Sequence, residues 1–282
     1  MRTTLHSTTL TLLFILLAWS GWKVWEQAGA YETETLYIIS QLEAETQLEN
    51  SGRRLLEAIS FGFYEGYSEI LEQINQHKTL QAAYYQSIRI LTGLFFAIAA
   101  AITIASWSLR RLLTDLGYGM IGVAFVALAV GLTTPILSLE ASKELPLLGE
   151  TVFQFQSKGI MTTITSLWHH NNAWLATLLF LFSVMIPLAK TLTTWLTLFS
   201  RTHHFSLHGL QLSRHLGKWS MADVFVVAIL VVFFSAAGEE SMTQAEVQAG
   251  LWFFAAYVVL SLIGTQLISH GRARADSPDV TK

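Results

Sequence analysis

The chain has 282 residues, of which 52% are hydrophobic and 13% charged, with a net charge of −3 and no cysteine. Soluble domains carry about 25% charged residues, so the composition excludes an ordinary soluble protein, and the small net charge gives no footing to a nucleic-acid partner. The missing cysteine excludes disulfides, thiolate zinc sites and cysteine nucleophiles.

The pattern of apolar runs predicts an all-α integral membrane protein with six transmembrane helices and an extracytoplasmic helical hairpin. The runs are roughly Thr8–Trp25, Ile88–Ser106, Leu116–Leu137, Ala173–Phe199, Trp219–Ala237 and Ala249–Ile268. Each is near the ~20 residues a bilayer helix needs. With both termini in the cytoplasm, Arg2, Arg110, Arg111, Arg201, Arg214, Lys218, Arg272, Arg274 and Lys282 lie there. The outer segments then hold only Arg53, Arg54, Lys78, Lys143 and Lys158, over far more residues. The positive-inside rule favours this orientation.

The first run also has signal-peptide features: Arg2, an apolar core, and Ala28–Gly29–Ala30 as a cleavage-like triplet. Trp22–Lys23–Val24–Trp25–Glu26 is bulky and charged where a cleavage region is short and small, so the run reads as a span.

Residues 27–86 are polar and acidic, with nine Glu against Arg53, Arg54 and Lys78. Leu36, Ile39, Leu42, Leu48, Leu55 and Ile59 recur at near-helical spacing, and Ile70, Leu71, Ile74 and Leu80 follow after a break. This predicts a hairpin whose arms continue the first two spans. Its tip, with Phe61, Phe63, Tyr64 and Tyr67, is either a packed turn or a partner-docking surface.

The third run is rich in small residues (Gly117, Gly119, Gly122, Ala124, Ala127, Gly131), which let helices approach closely. Thr134–Pro135 marks its end. The segment 138–172 is predicted to hold a short strand around Glu150–Gln156 and an amphipathic helix from Ile160 to Trp168. His169–His170–Asn171–Asn172 read as interfacial polar residues, because adjacent histidines do not share a helix face.

The fourth run carries the candidate chemistry. Ser183, Pro187, Lys190, Thr191 and Thr194 fall on one helical face, and Pro187 deprives the Ser183 carbonyl of its usual donor. Lys190 lies ~14 Å from the run's cytoplasmic end and Asp223 ~6 Å into the fifth run, at 1.5 Å per residue. A lysine that snorkels shortens the gap. Two readings stay open: a Lys190–Asp223 pair with a function, or a snorkelling lysine and an interfacial aspartate. His203, His204, His208 and His215 crowd the loop between these runs, but with no cysteine and no nearby acid the loop reads as wet and basic, not as a metal site. No catalytic constellation or cofactor motif is present, so the chain is read as a non-enzyme without a cofactor.

Three strings carry a resemblance: Thr134–Pro135–Ile136, Val184–Met185–Ile186–Pro187–Leu188–Ala189–Lys190, and Lys218–Trp219–Ser220–Met221–Ala222–Asp223–Val224–Phe225. In order and spacing they resemble the four-span module of the paraquat-inducible protein A (PqiA) family, here over 116–270. The first 115 residues are then an added two-span unit, and 271–282 a cytoplasmic tail. The resemblance implies a multi-pass protein of the Gram-negative inner membrane that handles lipids with an MCE-domain partner, and that Lys190 and Asp223 couple lipid movement to an ion gradient. Thr134 and Ser220 are expected in the same intramembrane polar cluster as Lys190 and Asp223, and Pro135, Trp219 and Met221 belong to the same motifs. The chain departs from the best-known members in having one module and no cysteine-based zinc ribbon. A different class of function is an envelope signalling or scaffold protein that binds a partner through the acidic hairpin.

Overall fold

The computed structural model describes residues 2–42, 66–110, 113–145, 149–199 and 243–276. Five helices in these residues are long and apolar enough to cross a membrane: Thr8–Gln41, Glu72–Ser108, Leu113–Thr133, Ala173–Thr194 and Ala249–Gly271. The expected span Trp219–Ala237 and the hairpin tip residues Phe61, Phe63 and Tyr64 lie outside the described residues, as does the Tyr67 side chain.

In chain order the elements are α1 (Arg2–Leu42), α2 (Gly66–Arg110), α3 (Leu113–Thr133), β1 (Leu137–Leu145), β2 (Gly149–Lys158) and α4 (Ile160–His169). There follow α5 (Ala173–Phe180), a π-turn (Leu181–Met185), α6 (Ile186–Phe199), β3 (Thr243–Val247) and α7 (Ala249–Asp276). The third span ends at Thr133, not Leu137. Pro135 has no N–H to continue the helix, and Leu137 already belongs to β1.

α3 is the central helix, and glycine puts it there. A Cβ at Gly131 would lie 2.7 Å from the backbone nitrogen of Phe254, and one at Gly117 would lie 2.8 Å from the Gly264 carbonyl oxygen. The α3 and α7 backbones are thus in contact at both ends of their crossing. Such contact replaces the hydrophobic drive that lipid surroundings remove. Gly122 leaves room for the Phe14 ring of α1. Phe95 of α2 meets Phe253 of α7 edge-on at 4.8 Å, closing the core behind α3.

α1 and α2 run antiparallel and continue beyond the bundle. Outside it polar contacts join them. His77 Nδ1 lies 2.5 Å from Glu34 Oε2, the His77 ring lies against Tyr37 with centroids 3.8 Å apart and planes tilted by 34°, and Gln81 Nε2 donates to Thr35 Oγ1 at 2.8 Å. Ile38, Ile39 and Ile74 are buried between the arms, whereas Leu36 and Leu80, expected on the same apolar faces, are exposed.

The helical expectation needs one amendment. A three-stranded antiparallel sheet, order β2-β1-β3, caps the bundle. β2 is the strand expected near 150–156, while β1 and β3 were not expected. Leu137 pairs with both Lys158 and Val247, so β1 is the middle strand. At its base the Gln248 N–H donates to Ile136 O and the Gly250 N–H to Pro135 O, each at 2.9 Å. The corner is tight: a Cβ at Gly250 would meet Pro135 O at 2.5 Å and Thr134 O at 2.6 Å.

Replacing Gly131 with Val is expected to cost about 1–3 kcal/mol, because the clash is with backbone that cannot rotate away. Gly29→Ala, which meets nothing within 4 Å, is expected to be neutral or to stabilise by up to about 1 kcal/mol. Thermal unfolding of the two variants in detergent, compared with the parent, checks both.

Candidate functional site

The helix that carries Lys190 is broken where the sequence puts proline. α5 passes into the π-turn Leu181–Met185, and α6 begins at Ile186. The Ile186 N–H donates to Leu181 O, one residue wider than an α-helical bond. Pro187 has no N–H to offer the preceding turn, and widening the helix is one way to accommodate that. Such π-turns concentrate at functional sites.

The face read from the sequence is the buried one. Ser183, Lys190, Thr191 and Thr194 are all at most 5% exposed, and Pro187 is buried between them. The threonines spend their hydroxyl protons on the helix's own backbone: Thr191 Oγ1 donates to Pro187 O at 2.9 Å and Thr194 Oγ1 to Lys190 O at 2.8 Å. They therefore need no solvent, and their oxygens still hold lone pairs that can accept.

Lys190 reaches across to α7, where its Nζ donates to Ser261 Oγ at 3.1 Å. Both side chains are almost fully enclosed, at 2% and 1% exposure. An ammonium has three protons to place, and each bond to a charged group is worth about 1.5–3 kcal/mol. One turn on, Thr265 Oγ1 donates to Ser261 O at 2.6 Å. Sequence reasoning missed Ser261. A lone serine in an apolar run gives no signal, since one hydroxyl can always return to its own helix.

Thr134 is buried but belongs elsewhere. Its Oγ1 donates to Val130 O at 2.7 Å, and it forms the corner against Gly250. Gly250 precedes Ser261 by eleven residues of α7, about 16 Å. Thr134 and Pro135 thus shape the sheet junction and do not join the cluster. Trp219, Ser220, Met221 and Asp223 lie outside the described residues. The His169–Asn172 stretch is a turn: His170 Nδ1 lies 2.7 Å from Ser166 O, and Asn171 takes a positive φ of 64°, which asparagine tolerates.

Removing the Ser261 hydroxyl takes one acceptor from Lys190 and should cost about 1–3 kcal/mol. Lys190→Met removes the charge while keeping the length. Ser261→Ala should therefore cost less in the Lys190→Met background than in the parent. A double-mutant cycle on thermal stability in detergent measures that coupling; additive effects would show that the contact carries no energy.

A family model described as paraquat-inducible protein A matches residues 127–272, just over half of the chain. The match begins eleven residues after the module boundary expected from the sequence and takes in Lys190, Ser261 and the sheet. No curated protein and no solved structure matches. The chain is a multi-pass membrane protein by its apolar helices, and it belongs to the paraquat-inducible protein A (PqiA) family.

Proposed function

We propose that this protein is an inner-membrane component of envelope lipid transport or membrane-integrity maintenance that acts with an MCE-domain partner. The single observation that carries the reading is the enclosed Lys190–Ser261 contact on a π-broken helix, within the part of the chain that matches the family. A charge at membrane depth is costly and is kept where it works. In this reading Lys190 and Asp223 exchange partners as lipid moves: the Lys190 ammonium is held by Ser261 in one state and by the Asp223 carboxylate in the other. The residues flanking Pro187 supply the bend that lets α6 shift. Membrane lipids are then the substrate, both termini face the cytoplasm, and the sheet faces the MCE partner.

A second reading rests on the α1–α2 arms. Their Glu34–His77–Tyr37 contact stiffens an acidic projection from the bundle, which suits a scaffold or sensor that binds a partner there.

Lys190→Ala and Asp223→Ala, expressed at parental levels, are expected to fail to restore envelope integrity in a strain lacking the protein. Full restoration by both would overturn the coupling reading. Deleting residues 27–86 should weaken activity under the transport reading and abolish it under the scaffold reading. Co-purification from native membranes, read by mass spectrometry, should return an MCE-domain protein.

A further inference from the structure

Two cavities stack along α1 and α3, on a part of the molecule that the Lys190 cluster does not use. The helices run parallel here: Phe14 meets Gly122, and a Cβ at Gly21 would lie 2.7 Å from Val130 Cγ2. The lower cavity is an apolar groove of about 410 Å³. The small residues Ala18, Gly21 and Ala129 leave the space, and Trp22, Trp25 and Phe125 bound it. The two indoles touch, with ring centroids 5.2 Å apart. The groove lies along two helices long and apolar enough to cross a membrane, and its lining is almost wholly apolar, which suits hydrocarbon better than water.

The upper cavity is small, about 10 Å³, room for one water- or ammonium-sized group. It starts one turn above Trp25, at Ala28, and is lined by Tyr31, Glu32, Ser138, Ser157 and Gln248. The cavities share both walls. α1 gives Trp25 to one and Ala28 to the other, and the α3–β1 corner gives Thr133 and then Pro135. The polar lining has one sign of charge. Beside the neutral Tyr31 phenol, Glu32 is its only side chain charged at neutral pH, and no ion pair among the described residues engages it. Gln248 Nε2 donates to Ser138 Oγ at 2.9 Å, which fixes the amide. Glu32 stands seven residues above Trp25, or about 10 Å, a span that carries it from the indole level into the headgroup zone.

An apolar slot topped by a single carboxylate complements an amphiphile whose head carries an ammonium. We propose that the stacked cavities bind one amine-bearing phospholipid of the phosphatidylethanolamine class, with an acyl chain in the Trp22/Trp25/Phe125 groove and its ammonium on Glu32. The site holds its lipid whether or not the protein moves lipid, so it stands independently of the transport reading.

The test is native mass spectrometry of the full chain in detergent, titrated with phosphatidylethanolamine and phosphatidylglycerol of identical acyl chains. The parent is expected to retain one phosphatidylethanolamine in preference to phosphatidylglycerol. Glu32→Gln should weaken phosphatidylethanolamine by about tenfold and leave phosphatidylglycerol unchanged. Ala129→Trp fills the groove from an exposed position and should weaken both lipids by about tenfold. Trp25→Ala removes a wall and provides the same readout if the larger side chain disturbs folding. Equal binding of the two lipids, unaltered by Glu32→Gln, overturns the headgroup assignment. Unaltered binding in both groove variants overturns the site, as does a stoichiometric protein in place of lipid. Lys190→Ala should keep the bound lipid, so loss of envelope function there separates a failed transport step from a failed binding site.

Discussion

The backbone contact between α3 and α7 is the constraint on which the rest depends. Two crossing helices with ordinary side chains stand 8–10 Å apart. Gly117 and Gly131 let these two come closer at both ends of the crossing. That contact fixes α7 in position, and α7 carries two features of consequence. Its start seats Gly250 under the Thr134–Pro135 corner, which sets where β3 meets β1. Its middle presents Ser261 to Lys190. Loosening the crossing would therefore disturb the sheet and the buried ammonium together, though about 16 Å separate them along the helix.

The buried lysine and the broken helix have a related origin. A regular helix satisfies its own backbone and offers a membrane interior nothing polar. Pro187 removes one donor, the π-turn takes up the difference, and the face it turns inward carries Lys190, Thr191 and Thr194. The threonines answer their own backbone, so the enclosed face has hydroxyl oxygens aimed inward without orphaned donors. Such a face is compatible with hydrocarbon on its outer side and with a charge on its inner side.

Much of this was legible in the sequence because membrane burial leaves strong patterns. Apolar runs about 20 residues long located the five spans among the described residues, and the 3.6-residue period placed Ser183, Pro187, Lys190, Thr191 and Thr194 on one face. The glycine-rich third run announced close packing, though not against which helix. What was not legible was pairing. Ser261 gives no local sign, because its role comes from a lysine 71 residues away. β3 is five residues long and beside an expected turn, too short for alternation to speak. Thr134 shares a motif with the cluster but is held by its neighbours in the chain, which shows that residues in one family string need not meet at one site.

The sheet order has a consequence for how the protein is made. β1 leaves the ribosome long before β3, and Gln248 bonds Ser138 across a separation of 110 residues. At about 5–20 residues per second the gap is roughly 5–20 s. For that time the central strand has β2 on one edge and an open edge on the other, and α3 stands without α7 over Gly117 and Gly131. The β1–β2 hairpin is complete by Lys158, and the stretch of β1 that later pairs with β3, Leu137–Ala141, includes the charged Glu140. Charge along an unpaired edge discourages pairing with the wrong chain, which suits a strand that must wait for the last span to be inserted.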